Sequence, residues 1–267
     1  MVNNFKDLDG KWALILGASS GFGGATSLAL ARAGMHICGV HLDRKATMEN
    51  VDRVVNGIQE AGREALFFNV NASDEAKRKE VLDALAPKLG KNGQVSVLLH
   101  SLAFGTLKPF IGPEGEMINK TQMEMTLDVM AHSLVYWVQD LLMRNLMGKG
   151  SRIYAMTSAG GERVWPTYGA VSAAKAALES HIRQLALELA PKGITANAVR
   201  AGVTDTPALR KIPGNEKMIE IATAKNPGKR LTTPEDVAQA IVAFSLPLTD
   251  WLNGNVLGVD GGENIVD

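Results

Sequence analysis

The apolar run Trp12 to Leu16 passes directly into GASSGFG, Gly17 to Gly23, and this junction constrains the fold more than any other stretch of the chain. Five consecutive apolar residues bounded by glycine suit a strand buried on both faces, as in a parallel sheet. Backbone without β carbons at Gly17, Gly21 and Gly23 can approach an anion closely, and the unpaired N–H groups of a helix that starts there attract negative charge. In this strand, turn, helix context the pattern predicts a dinucleotide cradle, with Ser19, Ser20 and Phe22 carried in the same turn.

The remainder keeps the alternation. A helix over Phe22 to Gly34, a strand at His36 to Leu42, a helix from about Thr47 to Ala61 and a strand at Ala65 to Val70 complete a βαβαβ unit. Ser73, with Asp74 and Glu75, is expected to open the next helix by capping and favourable charge. VSVLLH, Val95 to His100, reads as the fourth strand. A long helix over Thr121 to Met147, a strand at Arg152 to Thr157, a helix carrying Tyr168 and Lys175, and a strand at Ile194 to Val199 follow. Thr233-Pro234-Glu235 supplies a capping hydroxyl, a proline for the first helical position and an acid for the first turn. A last strand over Asn255 to Val259 precedes the turn Asp260-Gly261-Gly262. Right-handed crossovers make this a Rossmann-type, doubly wound parallel α/β sheet, a single domain over residues 1–267. Only Thr206 to Arg230 breaks the rhythm, and its prolines and amphipathic pieces predict a mobile helical lid inserted at about 206–230.

Composition narrows the function. With 46% hydrophobic and 21% charged residues the chain can build a large core. Its 28 basic residues balance 28 acidic ones, so nothing in the overall charge points to nucleic acid or to a membrane surface. No apolar run approaches the ~20 residues that span a bilayer, and MVNNFKDLDGK lacks the apolar centre of a signal peptide, so a cytoplasmic location is expected. Cys38, the one cysteine, sits in the strand-like HICGV and is expected to be buried and inert. The five histidines show no ligand spacing, so no protein-held metal is expected.

At the end of the second strand of such a sheet, an acid holds a ribose 2′-hydroxyl, whereas bases hold a 2′-phosphate. Counting 24 residues from Gly17 reaches His41, and Arg44 and Lys45 follow with Asp43 between. NADPH is therefore expected, with NADH the alternative and a solvated basic loop the non-functional reading. Asn69 and Val70, at the end of the third strand, are placed to meet an adenine or to make an ordinary turn.

Tyr168 stands seven positions before Lys175 in YGAVSAAK. On a helix this spacing returns to nearly the same face two turns along, roughly 10 Å away, one turn more than a four-residue spacing gives. Taken alone, the pair is equally a helical stripe. With the cofactor turn it becomes a candidate reaction centre.

These motifs resemble the short-chain dehydrogenase/reductase superfamily over nearly the whole chain. GERVWPTYGAVSAAK, Gly161 to Lys175, is similar to the motif of bacterial enoyl-acyl-carrier-protein reductases, as is HSLAF, His100 to Phe104, which contains Ser101 and Leu102. The alcohol-forming majority has its tyrosine four before the lysine, where this chain has Val171. NAVRAGVTDTPAL resembles the segment that holds the nicotinamide amide and the pyrophosphate, with Thr204 and Thr206 at the matching positions and Val203 in place of the usual proline. The full glycine pattern, and Ser158 seventeen before the lysine, look more like an NADPH-linked variety from some bacilli. Met130 stands about where the superfamily's relay asparagine lies.

The resemblance implies hydride transfer to the β carbon of a trans-2-enoyl thioester on acyl carrier protein, in a homotetramer of fatty-acid synthesis. Tyr168 would donate to the thioester oxygen, Lys175 would bind the nicotinamide ribose, and Ser158 would be a second donor. Phe104, Phe110, Leu209 and Met218 are candidates for the acyl pocket or for plain packing, and Arg210, Lys211 and Lys217 for steering an acidic carrier or for a solvated face. A carbonyl reductase or hydroxysteroid dehydrogenase on the same fold is the alternative enzyme. A nucleotide-binding regulator is the non-enzymatic reading, which the intact Tyr168 and Lys175 oppose.

Overall fold

The computed structural model describes residues 5–90 and 93–266. Its centre is β1, Trp12–Leu16. Trp12, Leu14 and Leu16 join one hydrophobic cluster and Ala13 and Ile15 the other, so a strand between two apolar layers has no room for a polar residue. The other strands are β2 (His36–His41), β3 (Ala65–Asn69), β4 (Val95–His100), β5 (Arg152–Ser158), β6 (Thr195–Ala201) and β7 (Val256–Val259). They form one sheet in the order β3-β2-β1-β4-β5-β6-β7, with every pairing parallel.

The helices are α1 (Gly21–Arg32), α2 (Met48–Glu60), α3 (Glu75–Leu89), α4 (Lys120–Leu127), α5 (Ser133–Met143), α6 (Gly169–Leu189), α7 (Asn215–Lys225) and α8 (Pro234–Phe244). Leu30 and Ala31 of α1, Val54 and Ile58 of α2, and Val237 and Ile241 of α8 cover one face of the sheet. Val81 and Leu85 of α3, Leu134 and Trp137 of α5, and Leu178 and Ile182 of α6 cover the other. Each fully buried aliphatic side chain contributes roughly 1.5–3 kcal/mol. The order reverses direction at β1 and β4, and the crevice outside the carboxyl ends of these strands is where such sheets bind ligands.

Several expectations change in detail. The cap of α3 is Asp74, which accepts from the Lys77 N–H at 3.0 Å, and not Ser73. Ser73 instead donates to Asn71. The long helix over Thr121 to Met147 is broken by a π-helical turn at Asp128–His132 and ends at Met143. Its apolar period survives the extra residue, which is why the sequence reads as one helix. Thr233 caps α8 as expected, in a reciprocal pair with Asp236. Residues 206–230 hold a short 3-10 helix, Leu209–Lys211, and α7, joined by turns and anchored by buried Leu209, Ile212 and Ala222. Among the described residues no helix is long and apolar enough to cross a membrane.

Candidate active site

Gly17 and Gly23 are glycines by necessity. A Cβ on Gly17, whose φ is +90°, would overlap the Ser101 carbonyl oxygen, and one on Gly23 would overlap the carbonyl of Gly17. Gly21, at φ +53°, faces the Thr206 methyl, whose carbon would lie 3.7 Å from an added Cβ. Leu102 closes the other side, with Cδ2 3.6 Å from a Cβ at Gly17. The turn is pinned by N–H groups of Gly17 and Ala18 donating to Val40 at 2.8 and 3.1 Å. Ser20 begins α1 in extended conformation without a side-chain cap, and no acid stands in the first turn. The cradle thus fits a dinucleotide pyrophosphate: its floor is backbone that a side chain at Gly17 or Gly23 would fill, and its uncapped helix start offers N–H groups suited to an anion.

Thr204 is buried and donates to Gly202 at 2.9 Å, while Thr206 accepts from the Leu209 N–H at 3.2 Å. Val203, the departure from proline, uses its N–H to donate to Glu263 at 3.0 Å, a bond proline cannot make.

Tyr168 lies at the cap of α6 rather than inside it. The residue before it, Thr167, has φ +64°, a left-handed conformation unusual for a β-branched residue and worth on the order of 1–3 kcal/mol of strain. This kink ends the loop and turns the phenol toward Ser158. Gly160 is required between them, because a Cβ there would stand 2.5 Å from Tyr168 Cε1 and 3.2 Å from Ser158 Oγ. Burial raises the phenol's pKa, partly offset by the Ser158 hydroxyl, so Tyr168 stays a donor at neutral pH. Ser158 ends β5 and accepts from the Gly160 N–H at 3.2 Å, which leaves its own proton for another acceptor. Val171, at the four-residue position, is buried.

Lys175 is buried and donates to the Met156 carbonyl at 2.7 Å. Burial pulls its pKa down to about 8, with the charge of Glu179 acting the other way. His100, at the end of β4, is held neutral: burial and then the charge of Lys175 lower its pKa to about 3. Ser133 donates to Val129 at 2.8 Å, so its oxygen accepts from His100 Nε2 at 2.9 Å and fixes that tautomer. Met130 is buried in the π-helical turn.

At the other end of the crevice, His41 is buried and Arg44 and Lys45 are exposed. Asp43 turns inward, 3.0 Å from His41 Nδ1. Burial pushes the Asp43 carboxyl up, but hydrogen bonds from Thr47, Ser19 and His41 outweigh it and hold the group below the usual range. Asn69 accepts from the Asp43 N–H at 2.9 Å and donates to the Asp43 carbonyl at 3.0 Å, so its amide shapes the β2 exit loop. The Val70 N–H donates to the His41 carbonyl at 2.8 Å. Of the acyl-pocket candidates, Leu209 is buried, Phe104 and Phe110 are exposed, and Phe110 lies over Gly169, beside Tyr168. Arg210 forms a two-point ion pair with Asp205 at 2.6 Å. Cys38 is buried, which raises its thiol pKa.

Sequence reasoning passed over Gly160, Thr167 and Glu179. Glu179 alone carried a signal, one helical turn beyond Lys175 on the same face.

With the glycine turn between β1 and α1 and with Tyr168 and Lys175 at the head of α6, the chain belongs to the short-chain dehydrogenase/reductase superfamily. The family model that matches it, over residues 17–264, is described as Enoyl-(Acyl carrier protein) reductase. The chain is 28% identical to the NADH enoyl-[acyl-carrier-protein] reductase of Escherichia coli (strain K12) over 259 residues, 97% of this chain and 95% of that one. It is also 28% identical to the 7alpha-hydroxysteroid dehydrogenase of the same strain over 258 residues, 96% and 94% of the two chains. A short chain dehydrogenase from Burkholderia cenocepacia J2315, solved in complex with NADP, superimposes with TM-score 0.82 at 26% identity, covering 96% of this chain and 99% of that one.

Proposed function

We propose that this chain is an NAD(P)H-dependent enoyl-[acyl-carrier-protein] reductase of fatty-acid synthesis, acting in the cytoplasm as a homotetramer. The observation that carries the reading is the seven-residue spacing of Tyr168 and Lys175, with buried Val171 where an alcohol-forming relative has its phenol. A bound nicotinamide supplies a hydride to the β carbon of a trans-2-enoyl thioester. Negative charge then develops on the thioester oxygen, and the Tyr168 O–H, un-ionised at neutral pH, donates to it. The Ser158 hydroxyl, whose oxygen already accepts from Gly160, is a second donor. Lys175 holds the nicotinamide ribose and keeps the site positive. A buried Met130 at the relay position suits a reaction that need not deliver an alcohol proton to solvent.

NADPH is the proposed cofactor, through Arg44 and Lys45, with NADH the alternative that the inward Asp43 favours. Residues 206–230 act as the lid, with Leu209 toward the acyl chain and Lys211 and Lys217 toward an acidic carrier. Hydroxysteroid or carbonyl reduction is the second reading, favoured by an identity to the 7alpha-hydroxysteroid dehydrogenase equal to that with the enoyl reductase. One assay separates them: NAD(P)H absorbance with crotonyl thioester, followed by NAD(P)+ reduction with a panel of secondary alcohols. Enoyl reduction is the expected result, and alcohol oxidation without it rejects the proposal.

A further inference from the structure

Glu179 is a buried carboxylate that the reaction above does not use. It lies one turn beyond Lys175 on the inner face of α6. Thr157 Oγ1 donates to its Oε1 at 2.6 Å, and the neighbouring strand residue, Met156, accepts from Lys175 Nζ at 2.7 Å. Two consecutive residues of β5 therefore hold the acid and the base. Gly161 leaves the acid its space, since a Cβ there would stand 3.1 Å from Oε1.

We propose that Glu179 is a positioning residue that keeps Lys175 charged, so that the ammonium held at the Met156 carbonyl can bind the nicotinamide ribose, acting through Lys175 and touching neither cofactor nor substrate. The inference rests on the reading of Lys175 given above. A carboxylate is retained in an apolar interior only with a donor and a compensating charge. Thr157 is the donor, and Lys175, one helical turn away on the same face and without a direct ion pair, supplies the charge. The remaining groups facing Lys175 do not supply a negative charge: His100 on β4 is neutral, the Tyr168 phenol at the head of α6 is un-ionised, and β5 presents a hydroxyl and a carbonyl. Burial works against the ammonium, and Glu179 is the group that works for it. A base with its pKa lowered to about 8 is charged below that pH and loses the charge as pH rises through it, so removing Glu179 moves the loss to lower pH.

The test is binding of NADH and NADPH to the intact protein, read by nucleotide fluorescence from about pH 7 upward, where a 2′-phosphate with a second pKa of ~6 is already ionised. Wild type is expected to lose affinity on an alkaline limb near pH 8. Glu179→Gln is expected to move that limb down by on the order of one pH unit, whereas Thr157→Val, which keeps the carboxylate, moves it less. A purely structural role lowers affinity equally at every pH and leaves the limb in place, which overturns the inference. If circular dichroism shows Glu179→Gln unfolded, Glu179→Met, which removes the charge while keeping the side-chain length in an apolar setting, takes its place, and a limb at the wild-type pH in that variant overturns the proposal. Wild type that binds a cofactor without an alkaline limb also overturns it. Wild type that binds neither cofactor overturns the functional reading instead.

Discussion

At the carboxyl end of β5, Ser158, Tyr168 and Lys175 are at least half-buried, with Ser158 and Lys175 held by backbone partners and Tyr168 packed beside Gly160, whereas at the carboxyl end of β2, Arg44 and Lys45 stand in solvent beside an inward-turned Asp43. On the proposed function, the first end would work through donors whose protonation is set by burial. The second would work through charges that water and salt screen. A donor aimed at developing charge in a dry site is worth several times more than a screened surface contact. The chemistry should therefore depend steeply on the buried end, and cofactor choice only shallowly on the exposed one.

Tyr168→Phe tests the steep end directly. It removes one donor without changing the ring, so enoyl turnover should fall on the order of 10² to 10³-fold with nucleotide binding retained. Steady-state turnover together with fluorescence titration of NADPH checks both halves, and full activity would transfer the principal donor role to Ser158. A smaller loss should follow from Gly160→Ala. The added carbon would press on Tyr168 Cε1 and shift the phenol, and a displacement near 1 Å costs up to ~10²-fold in turnover. Unaltered turnover in that variant would mean that the ring moves freely and that the buried end is less rigid than its geometry.

The same contrast explains what the sequence revealed. WALIL followed by GASSGFG could be read because backbone sterics admit few alternatives there: a strand buried on both faces must be apolar, and Gly17 and Gly23 admit no side chain. The doubly wound parallel sheet followed from the alternation and the handedness of crossovers, whereas the strand order came from the structure. The π-helical turn at Asp128–His132 could not be read, since one extra residue in a helix barely alters its apolar period. Nor could the inward rotation of Asp43, which depends on Ser19, Thr47 and His41 converging from three segments. Tyr168 was identified but placed inside its helix, because Thr167's left-handed backbone carries no glycine or asparagine to announce it.

Cofactor choice is where the exposed end can be measured and where the smallest effect is expected. Arg44 or Lys45 within ~4 Å of a 2′-phosphate, at an effective dielectric near 20, gains about 4 kcal/mol before screening and desolvation. Asp43 faces the same region and repels that phosphate, although its carboxyl also engages His41 Nδ1, 3.0 Å away. The two contributions oppose, so the surviving NADPH preference is about tenfold, or ~1.4 kcal/mol. Specificity constants for NADPH and NADH in wild type, Arg44→Ala and Asp43→Asn resolve the balance. Arg44→Ala should reduce the preference and Asp43→Asn should increase it, with the Asp43→Asn gain reduced at high salt. A wild-type preference for NADH, or undiminished NADPH use in Arg44→Ala, would assign Asp43 to the ribose diol and make the basic pair a solvated loop.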